Sequence, residues 1–232
     1  SSHWNVFPRY GYLTKFGRRS YEETQELLTE LSKYHINGLF YYDHIDRHDK
    51  PLAGTPDDPA ESWTNLANQE VYKSTIDDLI RVGHQLNMKS FSYNLIFGAY
   101  PDYESLGIQT EWGMFKDRTH TEFDFLPLPT TWKASQIYLM DPANKGWQDY
   151  YIQAYKDFLS VFDFDGIQVD SLGAREYPIY DYNGNELQLD LRYSELLDRM
   201  TKELDTKIIF NAVSEYGQED VASKVDLDIM FA

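Results

Sequence analysis

Asp170 closes the segment Phe164-Asp165-Gly166-Ile167-Gln168-Val169-Asp170-Ser171-Leu172-Gly173. Ile167 and Val169 give it the pattern of a short buried strand, entered through Gly166 and ended by a carboxylate. At the C-terminal end of a parallel strand, a carboxylate opens into the mouth of an α/β barrel, where such folds keep their chemistry. Packing gains nothing from an Asp there, which suggests a nucleophile or a charge stabiliser. Asp also caps the helix that follows such a strand, and the segment taken alone leaves both readings open.

Asp43, Asn94 and Asn211 each fall at the C-terminal end of an expected strand, in register with Asp170. If the strands close into a barrel, the four converge on one mouth. Carboxylates and amides so arranged bond sugar hydroxyls and stabilise an oxocarbenium-like transition state. Any one of them could be a loop cap; four in register favour a site. Glu215, in Asn211-Ala212-Val213-Ser214-Glu215-Tyr216-Gly217, is a candidate general acid just past a strand, or else a surface Glu in a connecting loop.

His44 and His48, beside Asp43 and Asp46, raise a metal reading. Their spacing would align both rings only on a helix, whereas Asp46-Arg47 and Lys50-Pro51 make this a loop, and Arg47 sets positive charge among the ligands. Substrate contact suits the segment better, and no metal is expected. Asp181-Tyr182-Asn183-Gly184-Asn185-Glu186 has the outline of a calcium loop with its Gly at the wrong place, so an Asn-Gly turn explains it better. No Gly-x-Ser-x-Gly, Gly-x-Gly-x-x-Gly or phosphate-loop pattern occurs, which removes the main support for serine hydrolases and nucleotide-binding folds.

These residues need strands and helices to carry them. Phe7 to Leu13 reads as an aromatic strand, Tyr21 to Tyr34 as a helix capped by Ser20, and Ile36 to Asp43 as a second strand. A polar loop with Pro51, Gly54, Pro56 and Pro59 leads to a helix over Glu70 to Leu86. Lys89 to Phe97 is a third strand, and Gly98 to Ser135 a long excursion holding Trp112 and Trp132. Gln136 to Pro142 is extended, Lys145 to Phe162 helical, and Asp165 to Asp170 the fourth main strand. Helix Leu189 to Leu204, strand Ile208 to Val213 and the start of another at Leu227 to Ala232 complete the chain. Such alternation predicts right-handed βαβ units and a parallel sheet. Long loops after the strands favour a (β/α)8 TIM-type barrel within a single domain, 1–232, that stops after about six strands where eight are needed.

Composition narrows the partners. The 232 residues carry 38 acidic against 21 basic side chains, a net charge of −17, which repels nucleic acid and anionic membranes. Neutral ligands such as sugars are not penalised. Cys is absent, so disulfides, thiolate catalysis and cysteine metal sites are excluded together. No segment approaches the roughly 18 apolar residues of a membrane span. The 19 Tyr, 13 Phe and 5 Trp fill an aromatic core, or line a site for the flat faces of sugar rings.

Phe7-Pro8-Arg9-Tyr10-Gly11-Tyr12, Phe40-Tyr41-Tyr42-Asp43, Tyr138-Leu139-Met140-Asp141-Pro142, the segment around Asp170, and Asn211-Ala212-Val213 together resemble glycoside hydrolase family 66. That family contains endo-dextranases and cycloisomaltooligosaccharide glucanotransferases. The resemblance implies a (β/α)8 catalytic barrel acting on α-1,6-glucan with retention of configuration, no cofactor, and a secreted or cell-surface bacterial protein. It makes Asp170 the nucleophile; beside that role, Tyr42, Asp43, Arg47, His48, Asn94 and Asn211 are the expected substrate-binding set. The family's acid/base Glu is expected just after Ala232, with Glu215 as the alternative inside the chain. A retaining mechanism needs both carboxyl groups, about 5 Å apart. The chain by itself is therefore expected to be inactive, and to meet a complementary C-terminal segment of the same protein. A carbohydrate-binding fragment without turnover, or another retaining glycosidase of α-galactosidase type, are the competing expectations.

Overall fold

A computed structural model of the chain describes residues 7–231; Ala232 and the glutamate expected beyond it lie outside the described residues. In chain order these residues form β1 (Tyr10–Leu13), α1 (Tyr21–Lys33), β2 (Gly38–Tyr41), β3 (Ser62–Thr64), β4 (Glu70–Tyr72), α2 (Lys73–Gln85), β5 (Lys89–Leu95) and β6 (Gly98–Ala99). There follow β7 (Phe125–Pro127), β8 (Gln136–Leu139), α3 (Lys145–Val161), β9 (Gly166–Asp170), α4 (Tyr193–Glu203), β10 (Lys207–Asn211), α5 (Gln218–Lys224) and β11 (Ile229–Phe231).

Six strands make one parallel sheet in the order β1-β2-β5-β9-β10-β11. The sheet is strongly curled. Phe40 on β2 stacks against Phe231 on β11 with ring centroids 6.3 Å apart, although β5, β9 and β10 lie between them. A flat sheet would separate those strands by about 19 Å, four strand spacings. The concave side holds its own small core of Phe40, Phe91 and Ile209, joined by Tyr10, Ile229 and Phe231. The convex side packs Leu39, Tyr41, Ile167, Val169, Ile208 and Phe210 under the helices. Strands buried on both faces read as near-continuous apolar runs, as Gly38–Tyr41 does; Gly166–Asp170 departs from this at the buried Gln168 and at Asp170.

Glycines make the curl possible at the lower end of the barrel face. A Cβ on Gly38 would sit 2.7 Å from the Tyr10 ring, and one on Gly166 would sit 2.6 Å from the Lys207 carbonyl and 2.7 Å from the Phe91 ring. Large rings from one strand thus occupy the space that glycine leaves on the next.

One element differs from the sequence expectation. The helix expected from Glu70 begins only at Lys73, because Glu70-Val71-Tyr72 pairs antiparallel with Ser62–Thr64 as a hairpin. The extended run from Gln136 pairs outside the main sheet: β8 lies between β6 and β7 in a three-stranded antiparallel sheet within the excursion after β5.

Candidate active site

Asp170 ends β9 on the concave side, in the pleat phase of Gly166 and Gln168. Its carboxylate is held from three directions. Tyr93 donates its hydroxyl to Oδ2 at 2.8 Å, Asn211 donates Nδ2–H to Oδ1 at 2.8 Å, and the Ser171 N–H donates to Oδ1 at 3.0 Å. Burial pushes the Asp170 carboxyl above its ordinary value, against these donors and a nearby His48 that draw it down. The group is therefore desolvated, oriented and supplied with donors that favour its anion. Among the described residues no helix takes it as a cap, and its one backbone donor is the residue that follows it.

The strand on one side of β9 brings a different residue from the one its sequence suggested. Register pairs Tyr93 with Gln168 and Leu95 with Asp170, so Asn94 projects from the opposite face of the pleat. Asn94 is fully buried there and grips His48, accepting from Nδ1–H at 2.6 Å and donating to the His48 carbonyl at 3.0 Å. Asn94 is thus not in register with Asp170. It fixes the tautomer of a histidine, while Tyr93, which sequence reasoning passed over, makes the direct bond. The signal lay in the alternation of Phe91, Tyr93 and Leu95 against Ser90, Ser92 and Asn94, of which the aromatic phase faces the mouth. Asn211, on the other flanking strand, does reach Asp170.

Asp43 stands just past β2 in the left-handed region, φ 50°, which Asp tolerates better than most residues. Burial raises its carboxyl first; His48 draws it down and the Asp170 charge raises it again, so the two carboxylates sense one another. Tyr42 lies half-open at the rim, its ring 4.3 Å from Tyr93 and edge-on to Tyr12. Tyr12 is 51% exposed and its hydroxyl accepts a long bond from Gln168. An apolar rim of Tyr12, Tyr42 and Tyr93 over a polar floor of Asp43, His48, Asp170 and Asn211 suits a ring with one flat face and several hydroxyls.

The loop that bears Asp43 and His48 is irregular, so its carbonyls need donors from elsewhere. Asn65 supplies one to Asp43, Trp63 one to His44, and Lys133 one to Asp46 while also pairing with the Asp46 carboxylate. Arg47 belongs to this bracing rather than to the mouth. Its guanidinium forks onto the fully buried Asp49 at 2.7 and 2.9 Å and reaches Asp102 at 2.9 Å, which occupies its donors. His44 is a core residue among Phe16, Tyr41, Phe158 and Phe164. Its Nδ1 meets the Tyr41 carbonyl at 2.8 Å and its Nε2 is buried without a partner among the described residues.

Glu215 is not brought to Asp170. It is exposed, has φ 64°, and lines an open cleft with Asp190, Glu219 and Asp220. Asn183-Gly184 forms a turn closed on Asp181, which accepts from the N–H groups of Asn183 and Asn185 at 2.9 Å each.

The model of the glycosyl hydrolase family 66 matches residues 1–232. A cycloisomaltooligosaccharide glucanotransferase of Niallia circulans is 33% identical over 100% of this chain, which spans 25% of that relative. Another from the same organism is 30% identical, again over 100% of the chain and 25% of the relative. Among solved structures, a cycloisomaltooligosaccharide glucanotransferase of Paenibacillus sp., complexed with cycloisomaltoheptaose, matches 99% of this chain at 29% identity with a TM-score of 0.90; the chain covers 34% of it. An α-galactosidase of Thermus thermophilus matches 89% of this chain and 39% of its own at 9% identity and a TM-score of 0.56, a likeness of fold alone.

Proposed function

Because the chain belongs to glycosyl hydrolase family 66, we propose that it carries the nucleophile half of the catalytic centre of an enzyme acting on α-1,6-linked glucan. The observation that carries this reading is the grip on Asp170: a half-buried carboxylate at a strand's C-terminal end, held by Tyr93, Asn211 and the Ser171 N–H beneath an aromatic rim. In the proposed reaction an Asp170 oxygen attacks the anomeric carbon as the bond to the leaving glucan oxygen breaks. That oxygen takes its proton from a carboxylic acid. Water or a sugar hydroxyl, deprotonated by the same acid's conjugate base, then releases the glycosyl-aspartate with net retention. Hydrolysis and transfer differ only in that acceptor, so a dextranase and a cyclising glucanotransferase share the step.

The proton donor is proposed to be a glutamate outside the described residues. Glu215 is exposed on another cleft, and Asp43, the carboxylate that senses Asp170, sits on a rigid loop beside His48. We further read the curled sheet as part of an eightfold barrel that the rest of the protein completes, in a secreted or cell-surface enzyme.

The test uses the full-length protein. Wild-type enzyme treated with an activated fluoro-glucoside is expected to carry a glucosyl adduct on Asp170 by peptide mass spectrometry. Asp170→Asn is expected to lose turnover on dextran by about four orders of magnitude while still binding isomaltooligosaccharide, as removal of a catalytic-unit member does elsewhere. An adduct on another residue, or near-normal turnover by Asp170→Asn, overturns the assignment. Binding without turnover in the wild type supports a carbohydrate-binding role instead.

A further inference from the structure

The loop that leaves Asp170, Ser171 to Arg192, is tied at both ends to the excursion that leaves β5. Near Asp170, the Arg175 guanidinium forks onto Asp124, Nε to Oδ2 and Nη2 to Oδ1, each at 2.9 Å, and Tyr177 donates its hydroxyl to the same Oδ1 at 2.7 Å. Asp124 is wholly buried, and Arg175 is largely so. Farther along, Arg192 forks onto Asp141 at 2.5 Å on both oxygens. Between the forks, Phe115 and Tyr180 exchange backbone hydrogen bonds of 2.8 and 2.7 Å. Two loops from the adjacent strands β5 and β9 are thus joined into one wall.

The near fork bears on the nucleophile through a short stretch of chain. Ser171 donates its N–H to Asp170 and its hydroxyl to the Asn211 carbonyl at 3.0 Å, while Asn211 bonds Asp170 in turn. Gly173 then takes φ 68° and passes so close to β10's exit that a Cβ would lie 3.2 Å from the Val213 carbonyl. Arg175 follows two residues on. The fork is the charged anchor just beyond the left-handed turn at Gly173, so it sets the direction in which the chain leaves Ser171. A bidentate guanidinium on a buried carboxylate defines both position and angle, which a single-point contact does not.

We propose that the Asp124–Arg175 fork, with Tyr177, is a positioning unit for Asp170: it holds the exit loop in the path where the Ser171 N–H meets the nucleophile. This rests on the reading of Asp170 as the nucleophile. Among the described residues the fork makes no hydrogen bond or ring contact with Tyr12, Tyr42 or Tyr93, so it is expected to act on the charge and aim of Asp170 and to leave substrate affinity nearly alone.

The test is the pH profile of the full-length enzyme on dextran. Arg175→Lys keeps the charge opposite Asp124 but cannot fork. It is expected to lower kcat about tenfold with KM within about twofold, and to move the acid limb of kcat/KM up by about one pH unit, the effect of losing one hydrogen bond to a carboxylate. Tyr177→Phe, which removes a single hydroxyl and keeps the packing, is expected to move the limb the same way by less. Unchanged kcat and an unmoved acid limb in both variants, with only the melting temperature lowered, overturn the proposal in favour of a purely structural fork. Turnover retained by Asp170→Asn overturns the nucleophile reading instead, and the two failures are thereby distinguished.

Discussion

Asp165 and Asp170 bracket the same strand and do opposite work. Asp165, at the entry of β9, accepts from the Lys89 ammonium at 2.6 Å, His84 Nε2 at 2.8 Å and the Ser90 N–H at 2.9 Å, which joins α2, β5 and β9. Asp170, at the exit, meets neutral donors and, among the described residues, no cation within bonding distance, so its negative charge is oriented without being neutralised. His44 shows a third fate for a polar side chain. Burial among aromatic rings depresses its pKa to about 3, against 6.5 in the unfolded chain. The folded form therefore holds His44 neutral; its contribution to stability is full above pH 6.5 and is lost as pH falls toward 3. Below pH 6.5 this residue is expected to cost about 1.4 kcal/mol of stability per pH unit. Denaturant titrations of His44→Leu between pH 4.5 and 7 should show a flatter pH dependence than those of the wild type. An equal slope in both would mean that another group governs acid lability.

At the scale of elements, the pleat of β5 decides the site. Both of its faces are buried, so period-2 alternation alone does not say which face turns inward. The polar phase, Ser90, Ser92 and Asn94, goes under the helices, where the Ser90 hydroxyl meets Tyr41 at 3.1 Å and Asn94 holds His48. The aromatic phase lines the barrel and delivers Tyr93 to Asp170. Strand existence and the end position of Asp170 and Asn211 were legible from apolar runs and flanking turns. The phase of β5 was not, because it depends on which neighbours curl over it. The same dependence explains the hairpin at Glu70 and the antiparallel placement of β8, both set by partners distant in sequence. Glycine at the entry of β9 has a packing reason, and Gly166→Ala tests it. With the Lys207 carbonyl and the Phe91 ring both inside 3 Å of the new methyl, a loss of about 1–3 kcal/mol is expected in a denaturant midpoint series. Stability within 0.5 kcal/mol of wild type, on about the scale of a surface substitution, would show that the strands can part at little cost.

The whole molecule is a curled sheet with two unpaired sides: among the described residues, β1 and β11 each pair with one strand only. Tyr10, Ile229 and Phe231 on those strands are only partly covered, and open edges beside apolar faces invite association. The 232-residue chain expressed alone is expected to associate with rising concentration in sedimentation velocity, despite its net charge of −17. A monodisperse, cooperatively melting monomer would contradict this. The sequence by itself determined the strand–helix alternation, the carboxylate at the end of β9, the amide at the end of β10 and the family, because these are written in local runs of residue types. Only the tertiary structure decided that Tyr93 rather than Asn94 reaches Asp170, that Arg47 and His44 serve the scaffold, that Glu215 faces another cleft, and that Arg175 anchors the loop after the nucleophile. Those outcomes follow from pleat phase, curl and burial, which are properties of how the strands meet and have no local signature in the chain.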